Sequence, residues 1–497
     1  MSVKKHAIKS SIFFIILILA LTKNCFAISL EEYVQTPDDA FEYKLIKTAY
    51  TFLYTTYIFE ITSQKWHPGD WEWHSDKVET DGKWKHWLRI IEPRLLGKYT
   101  QNIPFFSLVK SDKALLYLLR GDAEHEDAPS GATFEEAKLA LTSRSIVAEI
   151  DGIPIGKVAF LDEQPADYGT WWCAEDNPLK KDDDECELLR SEDSLQARSF
   201  DLALSTGDFS WAIMAPMTKA IVRGMDVIQQ FLGELYLGRQ VVNDFVLTGH
   251  SKRGHIVWLT AALDDRVMGV APVSYDLLNI GEQIALQDAS WPAPSPEQDA
   301  NVEFDLYTRY KTDAGTQLIA DLDAYAYRDR LNIPGLILVG TGDPYSCSDA
   351  VNLYFDNMSK DTRIFYAPNK GHDIRELPAV VDATANFYRH IINSQSLPEF
   401  TWAGLQEGSF TVTPEQQKPV AVKLWQDTNP VNRDFRQTTD NETWTSTDIE
   451  EQANGSYTGT VLPPESGFIA FYIELIYKDT AKKASYSLAT PITILGQ

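Results

Sequence analysis

Basic residues are scarce in this chain. Its 497 residues carry 45 Lys and Arg against 71 Asp and Glu, a formal net charge of −26. That imbalance excludes nucleic acid and anionic membrane as partners, because phosphates would be repelled. Long apolar runs are missing beyond residue 27, so no later stretch reaches membrane-span length. Internal repeats and low-complexity tracts are missing too. Cysteine is limited to four residues. What is there is globular: 44% hydrophobic and 23% charged residues exclude a mostly disordered chain. The length exceeds one ordinary core, which predicts two domains behind a processing segment.

That segment is residues 1–27. Lys4, Lys5 and Lys9 precede the apolar run Ile12 to Leu21, and Cys25-Phe26-Ala27 ends in the small residue that signal peptidase needs. A secretory signal is expected, with an uncleaved N-terminal anchor as the alternative; Lys23 and Asn24 are a poor setting for lipidation of Cys25. With the signal removed no membrane span remains, and the protein is expected to be soluble, secreted or periplasmic. Cys173 and Cys186 flank a polar loop, and in an oxidising compartment a disulfide between them would add about 3 kcal/mol. Two unpaired thiols are the other reading. Cys347 is left over.

Residues 28–399 read as an α/β domain. Ser29 to about Tyr57 looks helical in parts, with a break at Pro37-Asp38-Asp39. Tyr54 to Arg94 reads as antiparallel strands, with Trp66, Trp71 and Trp73 as an aromatic stripe that belongs to packing rather than to a binding platform. An α/β rhythm follows. Strands are expected at 114–119, 145–150, 244–248, 267–273, 335–339 and 363–367. Helices are expected at 134–141, 212–237, 252–263, 349–358 and 378–392. Together they predict a mostly parallel sheet flanked by helices, with an N-terminal antiparallel extension and a cap insertion at 277–325. Residues 400–497 show short alternating segments between turn clusters and predict a small β-sandwich.

The chemistry centres on Gly249-His250-Ser251-Lys252-Arg253-Gly254. A serine nucleophile of an α/β hydrolase needs a sharp strand-to-helix turn flanked by small residues, which aims the following N–H at the substrate carbonyl. Here that N–H belongs to Lys252. One departure is that Arg253 stands where a second glycine is usual, with Gly254 after it. The blander reading makes Ser251 a helix N-cap. Two further segments favour the nucleophile: Gly340-Thr341-Gly342-Asp343 follows one late strand, and Asn369-Lys370-Gly371-His372 follows the last. The order Ser251, Asp343, His372 is the α/β-hydrolase order. Asp349 is a rival acid better placed as a helix N-cap, and His250 and His255 are expected to be structural.

At these residues the chain resembles the PhoPQ-activated pathogenicity-related family, which includes the autocrine proliferation repressor proteins. The resemblance rests on Thr62 to Trp66, Trp84 to Pro93, Glu192-Asp193, Trp211 to Asp226, Gly249 to Asn279, Tyr325 to Asp343 and Trp425 to Arg436. It implies an α/β-hydrolase fold without a settled substrate. Where family members tend to have a glycine-rich turn, this chain has Arg120 to Asp127, which leaves Gly121 or Asp122 to supply the second oxyanion N–H. The proline usual before Asp349 is Ser348. Glu124 and Glu126, with Glu192 and Asp193, form an acidic set that reads first as a solvated acidic loop; a set that holds a substrate ammonium is the second reading.

The resulting expectation is a secreted serine hydrolase acting on an ester or amide bond of a small-molecule or peptide substrate, with neither cofactor nor metal. The rival is a secreted signalling or binding protein with a protein partner, on the same scaffold without turnover.

Overall fold

The computed structural model describes residues 28–73, 81–95, 106–107, 109–120, 128–163, 189–238, 242–437, 443–479 and 484–497. Three long strands, β1 (Glu42–Tyr50), β2 (Tyr54–Lys65) and β3 (Lys83–Leu95), pair antiparallel in chain order. Six shorter strands follow: β4 (Lys113–Leu118), β5 (Ile146–Ile150), β6 (Asp244–His250), β7 (Val267–Val273), β8 (Gly335–Gly340) and β9 (Thr362–Ala367). The sheet order is β1-β2-β3-β5-β4-β6-β7-β8-β9. From β5 to β9 every neighbouring pair is parallel. Every residue of β5 and β8 is buried. Such strands are apolar almost throughout because helices cover both of their faces.

The helices Met214–Leu235 and Lys252–Leu263 pack one face of the sheet, in the cluster that holds Ile228, Trp258, Leu247 and Ile337. Phe134–Ser143 and Pro378–Ile392 pack the other, where Leu139, Phe387, Val246 and Leu338 meet. Trp66 and Trp71 of the aromatic stripe are buried in the first cluster, with Trp84 beside them. The Glu192–Thr206 helix, which no sequence pattern announced, lies over the start of the Lys252–Leu263 helix through side-chain ion pairs. Between β7 and β8 the chain forms the helices Ile280–Ser290, Asp299–Glu303, Leu306–Arg309 and Asp313–Leu322. No helix among the described residues is long and apolar enough to cross a membrane.

The C-terminal strands are antiparallel, and their larger sheet does not stand apart. Ala484–Ala489 pairs with β9 at Ile364↔Ala489, so the sheet runs on into Phe468–Asp479, Ala421–Asn429 and Thr445–Asp448. A second sheet of Phe400–Ala403, Ser409–Pro414 and Tyr457–Thr460 packs against it, with Phe410 and Phe471 rings 6.3 Å apart.

Two expectations need correction. Residues 42–50 are a strand, with Leu30–Gln35 the one helix among the described residues before it. Most of that strand is an exposed edge, so it has no buried alternation to announce it. The helix expected over 349–358 is two short 3₁₀ turns, Ala350–Leu353 and Phe355–Asn357. The Asp349 side chain makes no cap there and instead forms an ion pair with Arg433.

Candidate active site

Strand β6 ends at His250 and the next helix begins at Lys252, so the reversal falls on Ser251. Its backbone sits at φ 60° and ψ −128°, in the half of conformational space that favours glycine. An N-cap serine has extended backbone and accepts a hydrogen bond from the first helical turn. Ser251 does neither. Its N–H donates to the Val273 carbonyl at 2.8 Å, and its own carbonyl accepts from Gly254 at 2.7 Å and His255 at 3.3 Å. Strain of this kind, on the order of 1–3 kcal/mol, persists only where the surroundings fix it, and it clusters at functional sites.

The departure at Arg253 has a steric account. A Cβ on Gly249 would lie 2.8 Å from that of Arg253, and a Cβ on Gly254 would lie 2.7 Å from that of Tyr275. Gly249 therefore makes room for the larger residue, and Gly254 lets the helix close onto the chain after β7. The Arg253 guanidinium reaches Glu192 at 2.5 Å.

On the next two strands, the turns after β8 and β9 approach so closely that a Cβ on Gly340 would collide with the Gly371 carbonyl. This contact sets Asp343 beside His372. The imidazole Nδ1 lies 2.9 Å from Asp343 Oδ2 and 3.1 Å from Oδ1. Oδ1 also accepts from the Tyr345 N–H at 2.9 Å. A carboxylate accepts only, so Nδ1 carries a proton, and in the neutral imidazole Nε2 is then the acceptor. Nε2 has no hydrogen-bond partner among the described residues. The His372 carbonyl accepts from Ser274 Oγ at 2.6 Å and from His250 Nε2 at 2.9 Å. Burial lowers the His250 pKa to about 4, with His372 pushing the same way, so His250 acts as a neutral donor. His255 donates to the Leu322 carbonyl at 2.7 Å and stacks on Tyr275. Both histidines hold backbone.

Ser251 and His372 line one cavity of about 100 Å³, together with Asp193, Lys252, Ser274 and Tyr345. Lys252 is the first residue of its helix, so its N–H has no acceptor within that helix. Its ammonium is tied to Glu192 at 2.6 Å and Asp193 at 2.7 Å. Tyr345 donates its hydroxyl to Asp193 at 2.8 Å, and its ring centroid lies 4.3 Å from that of His372.

These pairings change the expected part of the acidic set. Glu192 serves two cations of its own chain and is not left open to a substrate ammonium. Burial alone would raise its carboxyl, but Arg253 and Lys252 together outweigh that and hold it at about 2. Asp193 is shared between Lys252 and Tyr345. Gly121, Asp122, Glu124 and Glu126 lie outside the described residues, as do Cys173 and Cys186. Cys347 is a free, buried thiol whose pKa is pushed up to about 12 by burial, with Asp349 adding to it. Sequence reasoning missed Tyr345 and Ser274. Tyr345 lies two residues after Asp343, the only local signal available.

The profile of the PhoPQ-activated pathogenicity-related protein family matches residues 30–168 and 176–436. The chain belongs to that family. A curated relative, Autocrine proliferation repressor protein A of Dictyostelium discoideum, is 25% identical over 484 residues, spanning 93% of this chain and 88% of that protein. Solved structures with a similar course include acetyl xylan esterase 1 from a Thermoanaerobacterium species, at a TM-score of 0.42 and 15% identity over 73% of this chain and 93% of that one. A glucuronoyl esterase from Solibacter usitatus gives 0.39 and 13% over 72% and 87%. The family match runs through Ser251, Asp343 and His372 and ends in the loop after Arg433.

Proposed function

We propose that the chain is a secreted serine hydrolase that cleaves an ester or amide bond through Ser251, His372 and Asp343. The observation that carries this reading is the backbone of Ser251, held at positive φ on a strand-to-helix turn whose cavity also contains an unpartnered His372 Nε2. In the reaction, Ser251 Oγ attacks the carbonyl carbon and its proton passes to Nε2 of His372. Asp343 keeps the proton on Nδ1 and balances the imidazolium. The Lys252 N–H donates to the oxyanion, and the ion pairs that hold the Lys252 side chain keep that N–H oriented. A second donor is assigned to Gly121 or Asp122. The tetrahedral adduct collapses as His372 protonates the leaving oxygen or nitrogen, and water then releases the acyl group by the same proton route. Residues 1–27 act as the signal, 28–399 as the hydrolase domain and 400–497 as the β-rich domain that buttresses it.

The test is active-site labelling. A fluorophosphonate probe should modify the full-length protein on the peptide containing Ser251 and should not modify Ser251→Ala. A folded wild-type protein that resists the probe would return the reading to a binding protein.

A further inference from the structure

The cavity beside Ser251 does not end there. A second chamber of about 120 Å³ adjoins it. The two share Gln196, His255, Tyr275, Leu277, Gln298 and Asn301 as a common rim. The inner wall comes largely from the segment between β7 and β8, including Ile280, Ile284, Leu318 and Ile319, and is closed by Phe200 and Tyr310. No described residue lining this chamber is charged at neutral pH, since burial lowers the His255 pKa to about 4. The charged groups, Asp193, Lys252 and Glu297, stay on the nucleophile's side.

Gln283 in the chamber wall is 1% exposed. Its Nε2 donates to the Leu278 carbonyl at 2.9 Å and the Ala350 carbonyl at 3.3 Å, which ties the wall to the chain on either side of it.

Resting on the assignment of Ser251 as nucleophile, we propose that this chamber is the specificity pocket, and that it takes an uncharged ring-sized group. The volume sets the size: an apolar cavity of about 150 Å³ holds one benzene ring, and this chamber of about 120 Å³, open to the cavity beside Ser251, has room for about one. Long acyl chains do not fit. A carboxylate or ammonium is refused because the chamber offers it no counter-charge.

Fluorophosphonate probes bearing ethyl, benzyl and 4-carboxybenzyl groups test this on the full-length protein, with the labelling rate constant as readout. Benzyl is expected to exceed ethyl by about tenfold, and 4-carboxybenzyl to be slowest. Leu318→Trp, which fills the chamber, should bring the benzyl-to-ethyl ratio to about one. The wild-type ranking stands as evidence even where the variant fails to fold. Equal rates for ethyl and benzyl in the wild type overturn the pocket with the nucleophile intact, and a 4-carboxybenzyl probe as fast as benzyl overturns its preference for uncharged groups. A protein that no probe labels loses the nucleophile as well.

Discussion

Gln437 donates its backbone N–H to the carbonyl of Gly342 at 2.9 Å, which ties a loop near the C-terminal strands to the turn that carries Asp343. The fit leaves no slack, because a Cβ on Gly342 would lie 2.6 Å from that of Gln437. In the same loop Arg433 pairs with Asp349, and Arg436 lies 4.1 Å over the Trp291 ring. The acid turn is thus held from outside the sheet that presents it.

Arg433→Ala should therefore destabilise the protein by about 3 kcal/mol, since it leaves the buried Asp349 carboxylate unpaired. Burial already raises the Asp349 pKa, and Arg433 is what opposes that rise. Without Arg433 the carboxyl should take up a proton more readily, so the loss should shrink as pH is lowered toward 5. Chemical denaturation of both proteins at pH 5 and pH 8 checks this; an equal loss at both values would detach the effect from Asp349.

The second prediction concerns Ser251. A glycine there adopts positive φ without a side-chain penalty, so Ser251→Gly should raise stability by about 1 kcal/mol while abolishing probe labelling. Ser251→Ala keeps the strain and should leave stability near wild type. A glycine variant less stable than wild type would show that the hydroxyl, rather than the backbone, dominates the energetics at this position.

The third concerns pH. Asp276 is buried and accepts from the Tyr354 hydroxyl at 2.5 Å. Burial raises its pKa to about 7, with Asp343 and Asp349 adding to the rise and Tyr354 opposing it. The unfolded value is about 3.9, so the folded state binds the proton more tightly. Its stabilising contribution is complete below about pH 4 and is lost as pH rises through about 7. Asp276→Asn should flatten the Tm profile over that range and gain most over wild type at pH 8. Parallel profiles would mean that another group titrates.

What could be read from residues alone is what is local. The β6 strand, Gly249, Ser251 and the following helix fall within twenty positions, so spacing and residue type suffice. The turns at Asp343 and His372 follow strands whose apolar runs are continuous because they are buried on both faces. Pairings remote in sequence stayed hidden. Glu192 meets Lys252 sixty positions away, and nothing near Glu192 says that its carboxylate is already occupied. The join of Ala489 to Ile364 is equally remote, and it turns an apparently separate β region into a continuation of the central sheet. The β1 edge strand was misread for the opposite reason, since its residues face solvent and carry no burial period.

The last prediction separates two ways in which Asn369 could act on His372. Asn369 has φ 57°, a conformation that asparagine tolerates better than most residues. Its N–H donates to Thr341 Oγ1 at 3.0 Å, and its side chain makes two bonds to the backbone of Trp444, Nδ2 to the carbonyl at 2.9 Å and Oδ1 from the N–H at 2.8 Å. Asn369→Gly loses the side-chain tether but keeps a comfortable backbone. Asn369→Ala loses the tether and adds strain of about 1 kcal/mol. Each lost bond leaves a Trp444 group short of a partner, at about 1 kcal/mol apiece. If the tether sets the position of His372, both variants should slow fluorophosphonate labelling by a similar factor, roughly tenfold for each 1.4 kcal/mol of lost alignment, with alanine the less stable of the two. Stability is read by thermal melts and alignment by the labelling rate. A glycine variant that labels at the wild-type rate would show that the histidine turn is held without this tether, by its bonds to Ser274, His250 and Asp343.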